Sequence, residues 1–177
     1  MPGAQNQGFA ACDCPPAMKT ELRRACLEDL PAICLLADEV HAIHHQAEPA
    51  TYREAPDRVE VEAFWRGLLE NAESVTYLAE REGEALGFVT LVLGEERSAF
   101  TVPLRFAKIL SICVAGRFRR QGIGHQLLAQ ADAWAASHGV AETRLNVWAF
   151  NRAAANLYQR HGYAVRWHSM AKPVSPR

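Results

Sequence analysis

From Lys19 onward the hydrophobic positions fall into blocks that alternate between the two-residue period of a strand and the three-to-four-residue period of a helix. Leu22 to Cys26 is β-like, and Glu28-Asp29-Leu30-Pro31 then supplies the acids and the proline that a first helical turn accepts. The helix this predicts carries Leu30, Ile33, Leu36, Ala37 and Val40 on one face. His41 to Pro56 is polar and interrupted by Pro49 and Pro56, which reads as a loop or a broken helix. Helical spacing resumes from Asp57 to Asn71 through Val61, Phe64, Trp65, Leu68 and Leu69. Ser74 to Glu80 and Leu86 to Leu93 are β-rich and flank the turn sequence Arg81-Glu82-Gly83-Glu84, so a hairpin is expected. Gly94 to Leu104 reads as a polar link broken by Pro103. It is too short for a crossover helix, so the next strand, Arg105 to Val114, should run antiparallel to Leu86–Leu93.

The second half repeats a strand-helix rhythm. Ile123, Leu127, Leu128, Ala131, Trp134 and Ala135 line one face of the longest clear helix, Ile123 to Ser137, with Gly139 placed to end it. A strand from Thr143 to Trp148 follows, and the intervening helix makes it parallel to Arg105–Val114 in a βαβ unit. Asn151 is positioned to cap a final helix holding Ala154, Leu157 and Tyr158, and Gly162 follows it. Tyr163 to Met170 then alternates as a closing strand would. Residues 1–18 have no periodicity and read as a flexible tail ahead of one domain over residues 19–177.

Composition narrows the function classes. A chain of 177 residues with formal net charge −1 fits one domain with intermixed charges, which argues against a nucleic-acid-binding face. No apolar run approaches a membrane span and no secretory layout opens the chain, so a cytoplasmic protein is expected. The five cysteines form no C-x-x-C pair and match no zinc spacing, so reduced thiols and no metal are expected. Cys12 and Cys14 fall in the tail. Cys113, inside an apolar run, reads as a small core residue and not a nucleophile.

The candidate chemistry sits at Ile109 to Leu128, where a strand ends, a basic turn carries Arg117, Arg119 and Arg120, and Gly122-Ile123-Gly124 opens a helix. Glycines admit a ligand to the backbone, and a helix amino terminus offers unpaired N–H groups at the positive end of its dipole. Such a junction holds phosphate. A P-loop would need Lys-Ser/Thr where His125 and Gln126 stand, and a dinucleotide fingerprint would need glycine at Leu127.

What remains, Arg119-x-x-Gly122-x-Gly124, resembles the coenzyme A signature of the GNAT superfamily of N-acetyltransferases. Asn151-Arg-Ala-Ala154-Ala-Asn-Leu157-Tyr158, followed by Gly162-Tyr163, resembles that family's N-x-x-A-x-x-L-Y segment and the turn after it. The order of elements is also similar, and the likeness covers Lys19 to about Met170. It implies a single α/β (α+β) domain with a mixed central sheet, flanking helices and a V-shaped cleft for coenzyme A.

The resemblance also implies roles. Arg119, Arg120, Gln121, Gly122, Ile123, Gly124 and His125 would cradle the pyrophosphate of acetyl-CoA, the co-substrate, and Ile112, Cys113 and Val114 would pair their backbone with its pantetheine arm. Asn151 would contact the same arm, although a helix cap alone explains it. Tyr158 would donate a proton to the departing thiolate, against the plainer reading of a core tyrosine. The strand before the loop lacks the carboxylate that some members use as base, which leaves water or Glu80, Glu95, Glu96, His41, His44 and His45 as candidates. The segment His41 to Arg53 borders the acceptor cleft in the resembling fold, so His41, His44 and His45 are expected to recognise the amine. The function expected is acetyl transfer to a primary amine, of a small molecule or a protein, by direct attack in a ternary complex. The alternative is a coenzyme A-binding sensor without turnover. Dimers are common in the family, so the resemblance admits a homodimer, while the sequence leaves the oligomeric state open.

Overall fold

Residues 19–174 are described by the computed structural model, and the expected tail, with Cys12 and Cys14, lies outside them. The elements are β1 (Glu21–Arg24), α1 (Leu30–Ala47), α2 (Arg58–Glu70), β2 (Ser74–Arg81), β3 (Glu84–Ser98), β4 (Thr101–Val114), α3 (Ile123–Ser137), β5 (Thr143–Arg144) and α4 (Arg152–Arg160). They form a mixed α/β domain around a sheet ordered β1-β2-β3-β4-β5, antiparallel from β1 to β4 and parallel between β4 and β5.

The two faces of the sheet are covered by different helices. Ile123, Leu127, Leu128, Ala131 and Trp134 of α3 pack with Val89, Leu91, Ala107 and Ile109 on one side. On the other, Ile33, Cys34 and Leu36 of α1 and Trp65 of α2 pack with Leu78, Phe88 and Cys113. Most of these side chains are fully buried, and each such Leu, Ile or Phe stabilises the fold by roughly 1.5–3 kcal/mol. The helix starts follow the polar residues that precede them: the Asp57 side chain accepts from the amides of Val59 and Glu60, and that of Asn151 from the amide of Ala154 at 3.1 Å.

The feature that shapes the site is an irregularity in β4. Thr90 pairs with Ser111 and Leu91 with Ile109, so Leu110 is an extra residue bulged out of the β3–β4 ladder. The bulge lies immediately beyond the β4–β5 pairs, Ala107 with Thr143 and Lys108 with Arg144, after which the two strands share no further pairing. A bulge bends and twists its strand. The end of β4 therefore leaves β5, and a V-shaped opening is set between them.

Four expected boundaries change. The helix placed over Leu30–Val40 continues through His41, His44 and His45 to Ala47, because the first breaker, Pro49, stands beyond its end. The supposed link Gly94–Leu104 is instead the far end of one long ribbon, turning at Ala99 and Phe100. Pro103 sits there in a second bulge, where no ladder amide is required. The strand expected over Thr143–Trp148 is reduced to Thr143–Arg144 by the splay. The closing strand expected over Tyr163–Met170 is not formed among the described residues: Val165 and Trp167 are exposed and the segment has no sheet neighbour. Alternation can supply a strand with a face, but only an available edge supplies a partner.

Candidate active site

The open side of the splay ends at the junction singled out by its glycines. After Val114 the chain makes a 3-10 turn at Gly116–Phe118, and α3 begins at Ile123 with Gly122 as its cap. The first helical bond is donated by Gln126 to the Gly122 carbonyl at 3.1 Å. Among the described residues, none of the amides from Arg120 to His125 donates to a protein acceptor. Arg120 and Gly122 are both left-handed, with φ of 63° and 82°. A left-handed residue set among right-handed ones turns successive N–H groups toward one point, a concavity suited to an anion. Together with the helix dipole, this fits pyrophosphate oxygens.

The two glycines do different work. A side chain at Gly122 would meet nothing within 4 Å, so its constraint is φ alone. At Gly124 an added Cβ would stand 3.0 Å from Leu157 Cδ2, so this glycine lets α4 pack against the start of α3. That contact brings the helix carrying Tyr158 against the loop. The Arg119 side chain is folded back: its Nε donates to the Val114 carbonyl at 2.9 Å, and its guanidinium lies 3.8 Å from Glu39, whose carboxylate also accepts from the Gly116 amide at 2.8 Å. Arg119 and Glu39 thereby pin the turn to α1. Sequence reading had no basis for Glu39, which meets the turn across 77 positions.

Ile112, Cys113 and Val114 pair with Val89, Phe88 and Gly87 of β3, and their other edge faces the splay. The Cys113 thiol is buried, donates to the Leu36 carbonyl at 3.2 Å, and is pushed up to about 12 by burial and then by Glu39. A thiol so held is no nucleophile. Tyr158 is buried too, its phenol raised to about 12 by desolvation and by Tyr163, whose ring stands edge-on at 5.9 Å. Its hydroxyl makes no hydrogen bond among the described residues and is held in the protonated form that a donor needs.

These two groups make stability depend on pH in a defined direction. In the unfolded chain the thiol ionises near 9 and the phenol near 10, while in the fold both stay protonated to about 12. Their contribution is therefore complete below pH 9 and lost as pH rises toward 12. Urea midpoints should fall between pH 8.5 and 10.5 by the equivalent of roughly 2 kcal/mol, mostly from the thiol. Cys113→Ala should flatten this loss, and an equally steep loss in that variant would show that the thiol is not the cause.

A group of rings joins the end of α1 to the chain that follows β5. His41, His44 and Tyr52 come from the end of α1 and the turn after it, and Trp148 and Phe150 from the chain between β5 and α4. His44 stacks on Tyr52 at 5.0 Å and meets Phe150 edge-on at 5.7 Å, and the Trp148 indole donates to the Tyr52 hydroxyl at 2.8 Å. Each expected histidine donates one ring N–H to a backbone carbonyl: His41 to Arg53, His44 to Val40 and His45 to Tyr52. Since a carbonyl only accepts, the His44 proton in this bond sits on Nδ1, and Nε2 makes no hydrogen bond among the described residues. The carboxylate candidates are otherwise engaged. Glu80 is paired with Arg23 at 2.9 Å, Glu95 with Arg97 at 2.6 Å and Glu96 with Arg144 at 2.6 Å.

A mixed sheet with one splayed parallel pair, and a run of unpaired amides where that pair opens, defines an α/β domain whose geometry suits an anionic ligand. The chain belongs to the GNAT family of acetyltransferases: the model of the Acetyltransferase (GNAT) family matches residues 37–163. It is accordingly an acetyl-CoA-dependent N-acyltransferase. It is 35% identical over 113 residues to the uncharacterized N-acetyltransferase YhfO of Bacillus subtilis (strain 168), covering 63% of this chain and 73% of that protein. Among solved structures, a mutant of the BH1408 protein from Bacillus halodurans superimposes with a TM-score of 0.82 at 18% identity, over 88% of this chain and 99% of that one. AAC(6')-Iy in complex with the bisubstrate analog CoA-S-monomethyl-acetylneamine superimposes with a TM-score of 0.71 at 16% identity, over 89% and 99%. No helix among the described residues is long and apolar enough to cross a membrane.

Proposed function

We propose that the protein transfers the acetyl group of acetyl-CoA to a primary amine of a small molecule, by direct attack with both substrates bound. The observation that carries this reading is the run of free amides from Arg120 to His125 at the mouth of the splay. These residues hold the phosphates, and the free edge of Ile112–Val114 aligns an extended arm toward the crotch at Leu110. Acetyl-CoA, when bound, supplies a thioester whose carbonyl carbon accepts the amine lone pair and whose sulfur leaves with the C–S bonding pair. The small-amine class is supported by the complex of AAC(6')-Iy with its bisubstrate analog.

Tyr158 acts on the leaving side. Its phenol at about 12 lies some three units above an ordinary thiol, so a donated hydrogen bond, with the proton following only as sulfur departs, is favoured over early transfer. His44 acts on the attacking side. Its Nε2 takes the proton that the amine loses, and the Val40 carbonyl fixes the tautomer.

His44→Ala should lower turnover by about 10²-fold, on general-base magnitudes, with acetyl-CoA affinity unchanged. Native turnover in that variant would remove His44 from the mechanism and leave deprotonation to water.

A further inference from the structure

The ring group beside the splay has a composition that selects among amines. We infer that the acceptor is a monoamine with a flat aromatic body, an arylalkylamine, seated against Trp148, Tyr52 and Phe150. The inference rests on the acetyltransferase reading and names its substrate class.

Three observations support it. The rings are mutually ordered and partly open: Trp148 stacks with Phe150 at 6.0 Å and 24°, stands edge-on to Tyr52 at 5.9 Å, and keeps 40% of its surface exposed. Offset and edge-on arrangements of this kind leave a π face for a further ring. The polar atoms of the wall are mostly spent on one another: the Trp148 N–H on Tyr52, a His41 N–H on Arg53, a His45 N–H on Tyr52. What is left for a ligand is the Tyr52 O–H and His44 Nε2, enough for one amine and too little for a polyhydroxylated sugar. The third is charge. A polycation needs several carboxylates, and most of those on α1, α2 and the segment between them are taken, among them Asp38 by Arg58, Glu39 by the Gly116 amide and Arg119, and Glu60 by Arg53. Glu48 and Glu54, on the same segment, are the ones without such a partner among the described residues.

The test is acetyl transfer by the full chain to tryptamine, n-butylamine, spermidine and kanamycin under one set of conditions. kcat/KM for tryptamine should exceed that for the other three by about tenfold or more, the worth of one further ring contact and its burial. In Trp148→Ala the tryptamine-to-butylamine ratio should collapse toward one, and in Trp148→Leu, which keeps the bulk, it should fall as well. Preference for kanamycin or spermidine, lost in Glu48→Gln or Glu54→Gln, would overturn the inference and leave the acetyltransferase reading standing. A selectivity ratio unmoved by both Trp148 variants would overturn it too. Acetyl-CoA binding with no transfer to any amine would overturn both readings together.

Discussion

Gly122→Asp should lose acetyl-CoA affinity by about 100-fold or more in a protein that still folds. The position is left-handed, with φ of 82°, and a side chain there meets nothing within 4 Å, so the residue to place is one that tolerates this conformation. Aspartate does, and it also sets a negative charge among the amides from Arg120 to His125. Two unit charges about 4 Å apart at a protein surface repel by roughly 4 kcal/mol, more than the 2.7 kcal/mol that a hundredfold loss requires. Gly122→Asn has the same shape without the charge and should fall between the mutant and the native protein. Calorimetry on both variants decides the matter, and native affinity in folded Gly122→Asp would remove the phosphates from this loop. Gly124 serves less well for the purpose, since a bulky residue there pushes on Leu157 and disturbs α4 along with any ligand.

Tyr158→Phe should lower turnover by about 10²-fold while acetyl-CoA affinity stays within a factor of about two. The ring remains, buried against Tyr163 and the sheet, so the loss measures the hydroxyl alone. Because the phenol lies well above an ordinary thiol, its contribution should scale with how much help the leaving group needs. An acetyl thioester of a more acidic thiol should therefore narrow the gap between mutant and native protein. Equal turnover for Tyr158→Phe with acetyl-CoA would reduce Tyr158 to a core residue.

What the sequence disclosed depended on how local the cause was. Asp57, Asn151 and the periodic faces of α2 and α3 are local signals, and each gave its element to within a residue or two. The histidines were legible as candidates, but their segment read as a loop or a broken helix, whereas a helix surface tolerates polar residues and α1 runs on to Ala47, short of Pro49. The ribbon beyond Gly94 escaped notice because strands exposed on both faces need no alternation. The candidate site divides along the same line. Its glycines and Tyr158 stand in short motifs, whereas Tyr52 meets Trp148 across 96 positions and neither is unusual alone. The bulge at Leu110, which opens the cleft, is a matter of register between two strands and leaves no mark in composition.

Initial-velocity kinetics test the central claim most directly, with acetyl-CoA and an arylalkylamine varied together and the N-acetylated product followed by mass spectrometry. Direct attack with both substrates bound predicts intersecting double-reciprocal lines and no acetylated protein when the amine is left out. Parallel lines with an acetyl group on the protein would establish a covalent route, and coenzyme A binding without any acetylated amine would make the fold a sensor; either result contradicts the account.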